Sequence, residues 1–186
     1  MFIVKNRSSA QEWVVYHASN TSAPETDYLR LDSTNATADY GFWNDTAPTS
    51  TVFTIGDYQP VNGAYGNNYI AYCFHSVDGF SKFGSYAGDT SGLPFVYCGF
   101  KPRWILIKVT NATANWYLVD TSRNTYNVVD KYLLPSSANA EGTFTTLDVL
   151  SNGFKFRGSD ASFNQSGNNY IYMAFAEFPT KFANAR

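Results

Sequence analysis

The pentapeptide GNNYI occurs twice, each time opening a strand-like run: "YGNNYIAYCFHSVD" from Tyr65 to Asp78 and "SGNNYIYMAFAEFP" from Ser166 to Pro179. The echo extends upstream, where "FIVKNRSSAQEWVVYHAS" (Phe2 to Ser19) aligns with "ILIKVTNATANWYLVDTS" (Ile105 to Ser122), placing Lys5 on Lys108 and Trp13 on Trp116 at an offset of 103. Between these blocks Tyr28 falls on Tyr132, Asn35 on Asn139, Phe53 on Phe154 and Asn62 on Asn164, and GNNYI closes the series at an offset of 101. The order never changes, and the small gaps fall in polar stretches, where loops absorb insertions. Self-similarity of this kind reads as a tandem duplication and constrains the fold more than any other feature, because each half must form what the other forms.

Each half reads as antiparallel strands. "FIVKN", "WVVYH", "YLRLD", "VFTIG" and "YIAYCF" are alternating or continuous runs of β-branched and aromatic residues between Ser, Asn, Asp, Gly and Pro clusters, and the second half repeats them as "WILIKVT", "NWYLVDT", "GFKFRG" and "YIYMAFAE". Both alternating faces of Tyr69–Phe74 are apolar, which predicts a central strand. Only "TYNVVDKYLL" (Thr125 to Leu134) has room for a helical turn or two. The expected fold is all-β, an antiparallel β-sandwich of jelly-roll or lectin-like type. The expected division is a first unit over 1–80, a second over 81–179 and a C-terminal tail over 180–186. "FSKFGSYAG" and "PFVYCGFKPR" precede the second unit as extra strands, whereas the first opens almost at once, so its leading strands are missing. A half without its edge strand exposes an unpaired ladder, which predicts oligomers or a preceding domain.

Composition narrows the partners. Aromatics are 18% of the 186 residues and charged residues only 15%, with a net charge of -2 and scattered Lys and Arg, so the clustered cations that phosphate binding requires are lacking. Neither nucleic acid nor membrane insertion is expected, since no apolar stretch approaches the roughly 18 residues of a membrane span. Cys73 and Cys98 lie in apolar runs without a CxxC partner and read as buried free thiols.

The segments "GFKPRWILIKVTNATANWYLVDTSRNTYNVVD", "LDVLSNGFKFRGSDASFNQSGNNYIYMAFAE" and "FWNDTAPTSTVFTIG" with "GFSKFGSYAGD" carry a likeness. The chain resembles a repeat domain of tail, fibre and other virion structural proteins of marine and environmental tailed bacteriophages. The resemblance implies a virion component on the particle surface that touches the host surface, associated with other virion subunits as a homo-oligomer, threefold by analogy with fibres, with glycan contact through its loops; the alternatives are a lectin-like receptor-binding domain and, ranked last, a polysaccharide depolymerase. It brings no catalytic residue with it.

The residues themselves make no catalytic constellation. Glu12, Glu25, Asp32, Asp45, Asp57 and Asp78 form no tight acidic motif of the kind that two-carboxylate hydrolysis uses. His17 and His75 align with Asp120 and Ala176, so no triad or metal pair is shared between the halves. No catalytic residue, metal ligand or cofactor is therefore assigned. For ligand binding, "DYGFWNDTAPTS" (Asp39 to Ser50) sets Tyr40, Phe42 and Trp43 in a loop-like stretch beside Asn44 and Asp45. Flat rings stack on sugar faces while the polar pair bonds hydroxyls, and the alternative is that Trp43 packs against the other repeat or a neighbouring subunit. Trp13 and Trp116 should be core, and Lys5 and Lys108 should lay their stems along the sheet with the ammonium in water.

Overall fold

In the computed structural model, which describes residues 1–63, 65–124 and 126–178, the apolar runs become thirteen strands. The expected tail at 180–186 lies outside the described residues. The first half contains β1 (Phe2–Asn6), β2 (Trp13–Tyr16), β3 (Asp27–Arg30), β4 (Ala38–Asp39) and β5 (Tyr69–Cys73). The second contains β6 (Ser81–Ala87), β7 (Phe95–Tyr97), β8 (Pro102–Val109), β9 (Tyr117–Asp120), β10 (Val129–Tyr132), β11 (Gly142–Leu150), β12 (Gly153–Phe156) and β13 (Asn169–Ala176). All pairings are antiparallel, and a single 3₁₀ turn at Gly41–Trp43 is the one helical element among the described residues. The fold is an all-β sandwich.

Three sheets stack in layers. Sheet I runs β4-β3-β2-β1-β5, sheet II runs β10-β11-β12-β7, and sheet III, between them, runs β6-β13-β8-β9. Alternation along β8 explains why sheet III sits in the middle: Ile105, Ile107 and Val109 join the core shared with Leu147, Phe154 and Phe156 of sheet II, while Leu106 meets Ile3, Val15 and Leu29 of sheet I. The halves 1–80 and 81–179 are thus joined face to face by one shared core. The outer face of sheet I is closed by the 3₁₀ turn and coil rather than by a fourth sheet, with Phe42, Trp43, Val61, Phe53 and Ile55 packed on Phe2, Val4, Val14 and Tyr16.

The two halves use the same register. β1 sets Phe2 opposite Tyr16 and Cys73, and β8 sets Ile105 opposite Val119 and Ala174. Lys5 faces Ile70 as Lys108 faces Ile171, so the offsets of 103 and 101 convert one ladder into the other, pair by pair.

Several expectations are corrected. Tyr69–Phe74 does not form a central strand: β5 is the edge of sheet I, and Ala71, Tyr72 and Cys73 are exposed. Apolar residues on both faces mark any strand in a sheet covered on both sides, whether or not its own edge is filled. "VFTIG" forms no ladder, although its counterpart Phe154 lies in β12, because it serves as the cover of sheet I. No described residue of the segment expected to allow a helical turn is helical, and Val129–Tyr132 pairs with β11 instead. Cys98 is buried but Cys73 is exposed, following its edge position.

Candidate functional site

Where sheet I and sheet III diverge, their facing surfaces leave an apolar cleft of about 690 Å³. β1, β2 and β5 contribute Ile3, Trp13 and Tyr72, and β8 and β13 contribute Trp104, Leu106 and Met173. The strand period of two brings this about, because Ile3, Trp13 and Tyr72 project from the same side of sheet I. Trp13 stacks on Tyr72 at 6.1 Å between centroids, with the Lys5 ammonium 5.7 Å from the Trp13 ring. A second hollow of about 390 Å³ lies on the other face of β5, lined by Phe2, Tyr16, Val52, Phe53 and Cys73.

The sequence expectation that both tryptophans are core holds for one of them. Trp116 is 1% exposed, and its Nε1–H donates to the Arg30 carbonyl at 2.7 Å, tying the two halves together. Trp13 is half-buried at the cleft. The lysines diverge likewise. Lys5 is partly exposed and donates to the Gln11 carbonyl, whereas Lys108 is fully buried, correcting the expectation of an ammonium in water. The Lys108 Nζ donates to the carbonyls of Val109 at 2.9 Å, Thr34 at 3.3 Å and Ala112 at 3.5 Å. With no carboxylate among the described residues to hold its charge, burial brings its pKa down to about 8. The amine is enclosed and cannot meet a substrate; it fastens the loop at Thr34 to the second half.

His17 makes a similar tie. The Ser19 N–H donates to Nδ1 at 3.1 Å, so Nε2 carries the proton and donates to the Tyr172 carbonyl at 3.3 Å. Burial first, then the nearby N-terminal ammonium, lowers its pKa to about 4, and the ring is neutral at physiological pH. The sequence shows His17 only as a residue without a matching histidine in the other half; its partner is a backbone carbonyl, which leaves no trace in side-chain identity.

Of the five residues singled out for ligand contact, the fold separates two from three. Phe42 and Trp43 are 4% and 1% exposed, and the Trp43 Nε1–H donates to the Asp27 carbonyl at 2.9 Å. Their ring faces are occupied by Phe2, Tyr16 and Tyr28, so neither is open to stack on a sugar. Tyr40, Asn44 and Asp45 remain exposed, with Asn44 and Asp45 held at φ of 52° and 45°. The acids are dispersed: Glu12 pairs with Arg30 at 3.3 Å, Lys101 with Glu177 at 2.7 Å, and Glu141 with Arg123 and Lys131. Among the described residues no three His, Cys, Asp or Glu side chains gather as metal ligands, and no helix is long and apolar enough to cross a membrane.

A family model described as a domain of unknown function, DUF7483, matches residues 1–179 in one span. The chain belongs to that family. The match takes in both halves and every strand of the three sheets, so the DUF7483 unit corresponds to the whole layered stack rather than to one half. Comparisons with curated proteins and with solved structures gave no match.

Proposed function

We propose that the chain is a noncatalytic structural module of a phage virion, part of a tail fibre or similar appendage, that joins neighbouring subunits through its sheet edges and apolar surfaces and touches host-surface glycan through its loops. The virion assignment rests on the likeness of the quoted segments. The assembly role rests on one observation: β5 ends sheet I as an exposed, uncharged strand at the position where β13 continues to β6. We further propose that the shared register descends from a duplicated unit. A glycan contact, in this reading, falls to the exposed Tyr40, Asn44 and Asp45, since Phe42 and Trp43 are enclosed.

Purified particles provide the test. Peptides of this chain in the virion, and appendage density that fits the three-layer stack, are the expected outcome; absence from purified particles overturns the reading. Light scattering after size exclusion should give an oligomer, threefold by analogy, and a monomer at micromolar concentration removes the self-assembly part.

A further inference from the structure

A polar pocket of about 280 Å³ opens where one end of sheet III meets sheet II, away from the hollows beside β5. Bonds that continue the ladder past the strand ends set one wall. Glu177 N–H donates to the Lys101 carbonyl at 2.9 Å and Thr121 N–H to the Arg103 carbonyl at 2.8 Å, which brings the residues just before β8 and just after β9 and β13 to one rim. Sheet II adds the apolar Val129 and Val149. The connection from β9 to β10 forms the remaining side, and its own side chains fix it. Asn127 Nδ2–H donates to the Val149 carbonyl at 2.9 Å while its Oδ1 accepts from Val149 N–H at 3.0 Å, and Asn124 Oδ1 accepts from Lys131 N–H at 2.9 Å. The pocket is therefore shaped before any ligand arrives.

The groups these bonds leave unengaged line the pocket. Thr121 is only 7% exposed, yet its hydroxyl makes no hydrogen bond among the described residues, and an enclosed hydroxyl without a partner is costly unless solvent or a ligand supplies one. At the offset of 103 the first half has Ala18 in its place, so this hydroxyl is no part of the shared ladder. The Lys101 ammonium meets Glu177 Oε2 at 2.7 Å, which engages one of its three protons and one of the two carboxylate oxygens and leaves a donor beside an acceptor with no net charge. Tyr126 is 84% exposed and meets no other ring among the described residues, so its ring has an open face.

A donor beside an acceptor, a further hydroxyl and an open aromatic face together match a pyranose, whose neighbouring hydroxyls both donate and accept and whose C–H face stacks on a ring. The neutral ion pair favours an uncharged sugar over a phosphate or an acidic sugar. The volume, at the small end of the roughly 300–1,000 Å³ usual for ligand sites, suits one or two rings rather than a peptide segment. We propose that this pocket is a subsite for a neutral pyranose of a glycan, with Lys101 and Glu177 holding adjacent hydroxyls, Thr121 holding a third and Tyr126 stacked on the ring. It deepens the glycan contact proposed above and rests on that reading only for the source of the sugar, adding a site on the second half to the exposed Tyr40, Asn44 and Asp45. Glu177 is the one acid among the described residues lining it, so the arrangement holds a sugar without the carboxylate pair that cleaves one.

The probes are the methyl pyranosides of glucose, galactose and mannose, titrated up to about 50 mM into the full chain and followed by amide NMR. At least one should shift Lys101, Thr121, Tyr126 and Glu177 saturably, whereas glycerol, which offers hydroxyls without a ring, should not. Tyr126→Ala should weaken binding more than about tenfold without moving the denaturant midpoint, and Tyr126→Phe, which keeps the ring, should retain it. Thr121→Val should weaken binding at least about threefold. Among monodeoxy forms of the best-bound pyranoside, at least one should bind more than about tenfold more weakly to the unaltered protein, which keeps the test intact if a variant fails to fold. No saturable shift from any neutral pyranoside, equal binding of glycerol, or binding indifferent to Tyr126→Ala and to every deoxy change overturns the subsite. Shifts confined to Tyr40, Asn44 and Asp45 overturn this pocket and leave the glycan contact standing. A blank titration with the chain present in purified particles refutes the pocket alone, whereas pyranoside binding here with the chain absent from particles refutes the virion reading alone.

Discussion

β13 and β5 are the same strand of the ladder in two settings. Both open within a GNNYI, and they pair with β1 and β8, the strands that carry Lys5 and Lys108, in the same register. β13 has a neighbour on each side and a sheet on each face, so Ala174 is 0% exposed; its counterpart Cys73 is an exposed thiol at an open edge. The difference runs through the rest of each half. Trp116 and Lys108 are enclosed and bind carbonyls of the first half, while Trp13 and Lys5 remain at the surface of the cleft. One local pattern serves as centre or as margin, depending on what covers it.

The tryptophans offer the sharpest way to break this comparison. Trp116→Ala removes a buried ring and its bond to Arg30, and should cost about 3–5 kcal/mol in denaturant unfolding, whereas Trp13→Ala should cost about 1 kcal/mol. Equal losses would mean that the cleft side of sheet I is as closed as the core of sheet III.

His17 gives the next effect, seen as a dependence on pH. Its folded pKa of about 4 lies below the ordinary 6.5, so the unfolded chain takes up the proton first as pH falls. Its contribution is intact above about pH 6.5 and is lost progressively toward pH 4, by on the order of 3 kcal/mol. His17→Gln should flatten that part of the stability curve; an unchanged curve refutes the buried neutral ring.

The lysines follow. Lys108→Ala leaves three carbonyls without their donor and should cost about 2–3 kcal/mol, against less than about 1 kcal/mol for Lys5→Ala. Because burial lowers the Lys108 pKa to about 8, the unfolded chain holds more protons between pH 8 and its ordinary 10.5. The Lys108 contribution should therefore rise with pH across that window, and Lys108→Met should abolish the rise.

The smallest perturbation is chemical labelling of the cysteines. Cys73 should react with a thiol reagent in the native protein, while Cys98, buried and pushed up to about 12, should react only after unfolding. Equal native rates would place both thiols in the same environment.

Much of the fold is legible from residue order. The alternation in "FIVKN" and "WVVYH" marks β1 and β2, and the internal echo carries the register from Lys5 and Ile70 to Lys108 and Ile171. β11 is less legible, because Thr143, Thr145 and Asp148 interrupt its apolar run, and the exposure of the two threonines depends on sheet II having one open face. Of the candidate ligand residues, the cluster of aromatics was visible but its direction was not. Phe42 and Trp43 turn inward because the outer face of sheet I, bearing Phe2 and Tyr16, has to be covered and no strand is available to cover it.

The sequence by itself determined which segments are extended, which of their faces are apolar, and that the ladder is used twice, because those properties follow from side-chain alternation and from identity between the halves. Only the tertiary structure decided that sheet III is the middle layer, that Lys108 is enclosed while Lys5 is not, and that β5 is an edge. The physical reason is that burial belongs to pairs of distant surfaces. A strand apolar on both sides requires cover, but its own residues do not specify which part of the chain, or which other chain, provides it.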